Sequence, residues 1–240
     1  MQNTRTEPRE APAHRPPSYW LPLLQLADSA LPTGAFSHSF GLETFLERGL
    51  VRDEETFRIW LSHFIHTQLT HSDGLAIRLA LEAGSAAELR ELDALLTAQA
   101  LPRQVREAGV KMGARMLQIA SAILDSAEVE QYREDVAAGD CSGHPALAFA
   151  LAGRSLQVPL PELVSTYLFS TATSLTQNAI RGIPIGQDAG QRVLRRIHPD
   201  IAAATVRIAG LDRSDFGATA PGLEIAQMRH ERQRARMFMS

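Results

Sequence analysis

The sequence predicts an all-α protein, a single-domain helical bundle of about ten helices with flexible termini. Three observations favour this fold class. Apolar residues recur every three or four positions along several stretches, which is the spacing of one face of a helix. Residue types that begin helices precede these stretches. Alternating apolar and polar runs bounded by hairpin turns, which are typical of strands, are absent from the sequence.

Length and composition exclude several classes of protein. The 240 residues are 45% hydrophobic and 21% charged, as in globular proteins that bury a sizeable core. The net charge of −3 argues against a polyanion-binding chain. The single cysteine, Cys141, excludes an internal disulfide framework and disfavours a site of several thiolates. Because we find neither a membrane-length apolar run nor a secretory signal, we expect a cytoplasmic protein.

Changes in composition divide the chain into three segments. Residues 1–18 are predicted to be a disordered leader, since four prolines and mixed charges cannot build a core. Residues 19–226 carry the helical signals and are predicted to form one domain. Residues 227–240 form a C-terminal tail with a composition of its own.

The helical signals of the first half begin with a short apolar helix that ends before Pro32. Asp53 can cap a helix, and Ser85 with Glu88 forms a capping box at the start of another. The apolar residues that these two helices carry are Phe57, Ile59, Trp60, Phe64 and Ile65, then Leu89, Leu92, Leu95 and Leu96. A stripe of five turns follows at Val105, Ala108, Met112, Met116, Ile119 and Ile123. Gly109 and Gly113 lie on or beside this stripe. They predict that another helix crosses this one at short distance.

Prolines mark the helices of the second half. His144-Pro145 begins an Ala- and Leu-rich buried helix that reaches Ala152. Pro161 lies in the first turn of the next helix, a position that tolerates proline. The segment 181–187 breaks that helix, a further one follows around 188–197, and Pro199 begins one more.

The turn between Pro32 and Glu43 is the first candidate functional segment. Pro32 restricts its own φ and disfavours helix at the preceding residue, while Gly34 permits a positive φ. The turn therefore holds Phe36 and His38 in defined places between two helices. Two interpretations stay open, a core corner with a buried Phe36 and a surface built for recognition.

Residues able to carry catalysis are present, but no catalytic arrangement is recognisable. His63, His66 and His71 suggest a metal site, although no carboxylate at metal-ligand spacing accompanies them. Ser37 and His38 lack a GxSxG elbow, and Cys141 near His144 is better explained as a loop thiol. We therefore predict no catalytic residue, no cofactor-binding residue and no metal ligand.

The C-terminal tail is the second candidate segment. Between Met228 and Ser240 four arginines face a single glutamate, and Met237, Phe238 and Met239 follow. Exposure of large apolar side chains to solvent is unfavourable, so the tail either docks on its own domain or becomes ordered on a partner. Arginine and aromatic residues are enriched at interface hot spots, which favours a partner.

Four motifs in a fixed order resemble the UreF family of urease accessory proteins. They are Leu24-Gln25-Leu26 through Pro32-x-Gly34-x-Phe36-Ser37-His38-Ser39-Phe40-Gly41-Leu42-Glu43, then Gly143-His144, then Arg181-x-Ile183-Pro184-Ile185-Gly186-Gln187, and finally His230-Glu231-x-x-x-x-Arg236-Met237-Phe238-Met239-Ser240. The resemblance covers about residues 20–240.

The resemblance implies a helical, homodimeric and non-enzymatic adaptor in the cytoplasm, with no cofactor, nucleic acid or membrane. Its implied partners are UreD (also called UreH), the GTPase UreG and apo-urease, in a complex that delivers nickel. It also implies an influence on GTP hydrolysis by UreG, either activation or coupling to delivery. The partner-binding residues it implies are Phe36, His38, Glu43, Arg181, Pro184, Gln187, His230, Glu231, Arg236 and Phe238.

Two alternatives stay open beside the resemblance. The first is an all-α metalloenzyme built on the three clustered histidines. The second is a nucleic-acid-associated regulator that uses the arginine-rich tail. For the adaptor, we expect the tail to be mobile in isolation and ordered in the complex, with Phe36 and Phe238 buried in pockets of UreD/UreH.

Overall fold

The computed structural model describes residues 16–217 and 220–239, so most of the leader predicted over 1–18 lies outside the described residues. The described part contains twelve α-helices, and about ten were expected. Their bounds are α1 Trp20–Ala27, α2 Leu42–Glu47, α3 Glu54–Phe64, α4 Leu75–Glu82, α5 Ala86–Gln99, α6 Arg103–Ile123, α7 Ala127–Ala138, α8 Pro145–Ser155, α9 Leu160–Gly182, α10 Gln187–Arg196, α11 His198–Ala209 and α12 Pro221–His230. No strand occurs in these ranges, where the one β-bridge joins His38 to Met239. The all-α fold class is confirmed.

Capping residues begin the helices where the sequence predicts. The Asp53 side chain accepts the Thr56 N–H at 2.8 Å and forms a reciprocal capping box at the start of α3. The Ser85 side chain caps α5, but the returning bond from Glu88 reaches the Gly84 N–H rather than that of Ser85. His144 caps α8 by accepting the Ala146 N–H on its ring Nδ1.

A ten-residue π-helix, Ile65–Gly74, joins α3 to α4 without a break. Thr70 Oγ1 donates to the Ile65 carbonyl at 2.7 Å, a bond that spans the five residues of a π-turn. The segment ends at Gly74, where a Cβ would lie 2.4 Å from Ile208 Cδ1 of α11. The helix expected at Asp53 is thus longer than predicted and widens where it passes α11.

The core surrounds α8 and α9. Every residue of α8 from Ala146 to Gly153 is buried, as the Ala- and Leu-rich sequence predicts. The long α9 packs against α1, α3, α10 and α11. Small side chains on α8 allow α4 and α6 to approach it from two sides.

The structure differs from the sequence-based expectation at three places. Helix α7 was not expected, because its polar composition carries no apolar stripe. Ile59 and Ile123, expected on apolar faces, are 42% and 41% exposed. The boundary between domain and tail, expected at residue 227, falls inside α12, which continues to His230. Among the described residues no helix has both the length and the hydropathy needed to cross a membrane.

Candidate partner-binding site

The turn after α1 presents Phe36 to solvent. Gly34 adopts a φ of 84°, the left-handed conformation that the sequence predicts, and a single 3₁₀ turn over Ala35–Ser37 follows it. The Phe36 side chain is 54% exposed, so its interpretation as a core residue is wrong. His38, two residues later, is buried.

The C-terminal tail docks against this turn. The Met239 N–H donates to the Ser37 carbonyl at 2.8 Å, and the Ser39 N–H donates to the Met239 carbonyl at 2.8 Å. These bonds form a short parallel bridge between His38 and Met239. Of the two alternatives for the tail, docking on its own domain is therefore the one observed.

Glu43 holds the tail from the first turn of α2. Its carboxylate accepts the backbone N–H groups of Met237 and Phe238, the latter at 3.1 Å. The same carboxylate lies 2.8 Å from Nε2 of His230, a fully buried residue at the end of α12. The other ring nitrogen of His230 lies 3.0 Å from Oε1 of Gln104 on α6. One buried carboxylate thus joins α2, α12 and the tail.

Arg181, at the end of α9, joins the tail to the turn. Its guanidinium lies over the Phe238 ring, 4.8 Å from the centroid, in a cation–π contact. Arg181 Nη2 also donates to the Phe36 carbonyl at 2.6 Å and to Oδ1 of Asn178. Asn178 Nδ2 donates in turn to the His38 carbonyl at 2.7 Å.

We call these six predicted residues the tail cluster: Phe36, His38, Glu43, Arg181, His230 and Phe238. They are separated by up to 202 positions in sequence (from 36 to 238) and are brought together by the docked tail. Sequence reasoning missed Asn178 and Gln104, which complete its hydrogen bonds. Both are polar residues on helices, a signal too common to single them out.

The remaining four predicted residues lie outside the tail cluster. Glu231 pairs with Arg103 at 3.2 Å, and Arg236 is exposed within the tail. Pro184 and Gln187 are exposed in and after the turn that joins α9 to α10.

The exposed apolar residues of the tail differ from those expected. Phe238, predicted to enter a partner's pocket, is only 6% exposed because its ring packs inside its own chain under Arg181. Its neighbours Met237 and Met239 are 62% and 57% exposed, and the backbone of Met239 is bonded to that of Ser37, the residue after Phe36. The turn therefore exposes Phe36 and the docked tail exposes Met237 and Met239, while Phe238 anchors the tail.

Two of the three clustered histidines have structural partners. His66 Nε2 lies 3.0 Å from Oδ1 of Asp200, and His71 Nδ1 lies 3.2 Å from the Asp215 carbonyl. Within residues 16–217 and 220–239, no three His, Cys, Asp or Glu side chains are grouped to hold a metal ion. Burial raises the pKa of Cys141 to about 12, which keeps the thiol protonated at neutral pH.

A cavity of about 140 Å³ lies beside the tail cluster. Ala35 and Phe40 of the turn line one part of it, together with Gln227 of α12. Asp73 of the π-helix and His144 also line it. Burial lowers the pKa of His144, while the carboxylates of Asp73 and Asp93 oppose that shift. The lining is mixed in polarity and carries no recognisable catalytic arrangement.

Comparison with known proteins assigns the chain to a family. The UreF family model matches residues 51–198. A urease accessory protein UreF of Arthrobacter sp. (strain FB24) is 61% identical over 93% of this chain and 98% of its own length. The UreF proteins of Paenarthrobacter aurescens (strain TC1) and Corynebacterium efficiens are 59% and 48% identical, over 93% and 92% of this chain and 99% and 96% of their own. The chain therefore belongs to the UreF family, whose members are non-catalytic urease accessory proteins.

Proposed function

We propose that this chain is an adaptor that binds UreD/UreH and the GTPase UreG, and that the complex delivers nickel to apo-urease. The convergence of the tail cluster is the observation that carries the proposal. Six of the ten residues implied by the family resemblance meet at one place, although they come from three separate parts of the sequence. The buried members of the cluster fix the tail against the turn, and Phe36 and Arg181 stay exposed beside it.

The chemistry of this surface supports the UreD/UreH side of the proposal. Phe36, Met237 and Met239 are each more than half exposed, and the cations Arg181 and Arg236 are exposed near them. Burial of an apolar side chain of this size contributes about 1.5–3 kcal/mol to binding. An arginine adds charge-assisted hydrogen bonds to carboxylates or carbonyls. An apolar centre with a cationic border is typical of a protein-binding site.

The proposed binding site for UreG is the turn between α9 and α10. Pro184 and Gln187 are exposed there. We place the GTPase at this turn, where contact with it would influence GTP hydrolysis. We also propose a homodimer in the cytoplasm, supported by the exposed apolar face of α1.

Removal of the tail surface tests the proposal. We expect Arg236→Ala, and separately deletion of residues 229–240, to abolish capture of UreD/UreH in a pull-down and to prevent urease activation in cells. The first variant loses the charge-assisted bonds of Arg236 to the partner, and the second also loses Met237 and Met239. Far-UV circular dichroism should show an unchanged helix content for Arg236→Ala.

Arg234→Ala is the matched control, because Arg234 is an exposed arginine two positions away with no proposed role. It should retain wild-type capture of UreD/UreH. Normal capture by both test variants would contradict the proposed binding site. Retention of DNA by the purified chain with a steep salt dependence would instead favour the nucleic-acid alternative.

A further inference from the structure

The cavity has a carboxylate in its wall and no cationic side chain to balance it. Asp73, from the last turn of the π-helix, lines the cavity and is half-buried. Tyr167 Oη of α9 donates to Oδ1 of Asp73 at 2.8 Å. Among the described residues that line the cavity, none is a lysine or an arginine. Because a carboxylate away from bulk water is costly without a cation beside it, the cavity favours a positively charged occupant.

His144, which lines the same cavity, does not supply the missing positive charge. Its Nδ1 accepts the Ala146 N–H at 3.2 Å, which requires the neutral ring, and burial lowers its pKa. Asp28, exposed at the end of α1, is a further carboxylate of the lining. The lining is therefore negatively charged at neutral pH.

Aromatic rings lie next to Asp73. The rings of Tyr167 and Phe149 are 5.3 Å apart between centroids, with their planes at 57°, and both residues line the cavity. A carboxylate beside aromatic rings is the combination that recognises an ammonium group, through charge-assisted hydrogen bonds and cation–π contacts. Much of the remaining wall is apolar and includes Leu26, Leu31, Phe64, Leu96, Met112 and Met116.

The geometry points to a binding site for a small organic ammonium ion in this cavity. The charged end lies at Asp73 beside Tyr167 and Phe149, and the hydrocarbon body lies along the apolar wall. The cavity volume of about 140 Å³ is close to the roughly 150 Å³ at which an engineered apolar cavity holds benzene, so the body is about one ring in size. An organic cation fits better than a metal ion, because no three His, Cys, Asp or Glu side chains of the described ranges are grouped as ligands.

Benzylammonium, the form that benzylamine takes at neutral pH, is the probe. Benzyl alcohol is the matched neutral probe, since it has the same ring and a similar shape without the charge. We expect the full-length wild type to bind benzylammonium about tenfold more tightly than benzyl alcohol or better, because hydrogen bonds to charged groups are the stronger ones.

Methionine methyl groups report where the probe binds. Met112 and Met116 are buried and line the cavity, whereas Met228, Met237 and Met239 are exposed. With carbon-13 in the methionine methyl groups, an NMR titration gives both the affinity and the location. The signals of Met112 and Met116 should shift on addition of benzylammonium, and those of the exposed methionines should not.

Asp73→Asn isolates the role of the charge. Asparagine keeps an oxygen that accepts the Tyr167 hydroxyl but carries no charge. We expect this variant to bind benzylammonium about tenfold more weakly or worse, and to bind benzyl alcohol within about twofold of the wild type. Asp28→Asn is the matched control, because it removes an exposed carboxylate from the same lining. It should change both affinities by less than about twofold.

Three results would overturn the inference, and the first two come from the wild type, so they do not depend on the folding of Asp73→Asn. One is equal affinity for the two probes, or shifts confined to the exposed methionines. Another is displacement of bound benzylammonium by equimolar Ni²⁺, which would assign the cavity to a metal ion. The last is equal weakening by Asp73→Asn and Asp28→Asn. Capture of UreD/UreH is not part of the measurement, so failure here leaves the function proposed above unaffected.

Discussion

At the scale of single residues, a buried carboxylate organises the loop before α8. Asp93, which is 2% exposed, accepts hydrogen bonds from Tyr132 Oη and the Ser142 N–H at 2.6 Å each, and from the Gly143 N–H at 3.0 Å. The His144 N–H donates to the same Tyr132 oxygen at 3.2 Å. These bonds hold His144 at the start of α8 and beside the cavity. The Gly143-His144 motif thus has a structural explanation.

His144 should make stability depend on pH. Burial lowers its pKa in the folded state, and its Nδ1 accepts the Ala146 N–H, which requires the neutral ring. In the unfolded chain, His144 binds a proton below its ordinary pKa of 6.5. The stability that the neutral, buried ring contributes is therefore complete above pH 6.5 and is lost as the pH falls below it. We expect the free energy of unfolding to decrease by up to about 1.4 kcal/mol per pH unit below it.

Urea unfolding of the wild type and of His144→Asn, measured at pH 7.5 and 5.5, tests this prediction. Asparagine can still cap α8 but does not titrate. The decrease in stability between the two pH values should be smaller in the variant. Identical decreases would show that His144 is not responsible.

At the scale of elements, glycine allows α6 to touch the loop before α8. A Cβ at Gly113 would lie 2.1 Å from the Gly143 carbonyl oxygen and 2.9 Å from the His144 carbonyl carbon. Both neighbours are backbone atoms, which cannot move aside as a flexible side chain can. The close approach expected at this pair of glycines is confirmed at Gly113 but not at Gly109, and it involves the loop and the start of α8 rather than two helix centres.

Gly113→Ala should therefore destabilise the protein by about 1–3 kcal/mol, the usual cost of overpacking, although alanine favours helix more than glycine does. Gly109→Ala is the matched control in the same helix, because its Cβ would meet His144 Cδ2 at an ordinary 3.7 Å. Urea unfolding should show that Gly109→Ala is neutral or stabilising. A neutral Gly113→Ala would mean that the loop moves to accommodate the methyl group.

At the scale of the whole molecule, the exposed apolar residues are concentrated at two places besides scattered single positions. One is the surface of Phe36, Met237 and Met239. The other is the outer face of α1, where Trp20, Leu21 and Leu24 are 48%, 71% and 52% exposed. Contiguous exposed apolar residues mark interaction sites. The two surfaces are consistent with an adaptor that meets a partner and a second copy of itself.

The α1 face leads to a prediction about the homodimer. Leu21→Glu should weaken self-association by about tenfold or more, because it replaces an apolar contact with a charge that would have to be desolvated. Sedimentation or light scattering across a concentration series measures this. Val206→Glu is the control, because Val206 is 76% exposed and lies on a different helix, α11. Unchanged association of Leu21→Glu would place the dimer elsewhere.

Much of the fold was predictable from local signals. The caps at Asp53 and Ser85, the prolines at 145, 161 and 199, and the apolar stripe of α6 act within a few residues of one another, so the sequence shows them directly. Helix α7 and the π-helix Ile65–Gly74 were missed. The first lacks an apolar stripe, and the second depends on packing against α11 rather than on a local pattern.

By itself, the sequence determined the helical class and the turn built by Pro32 and Gly34, and its resemblance to the UreF family implied the residues of the candidate site. Only the tertiary structure decided which of those residues face outward. Phe36 remains exposed, whereas Phe238 is buried by Arg181 and its tail is held by Glu43. The physical reason is distance along the chain: backbone propensities act over a few residues, but a carboxylate at 43 acquires its donors at 230, 237 and 238 only after the helices have packed.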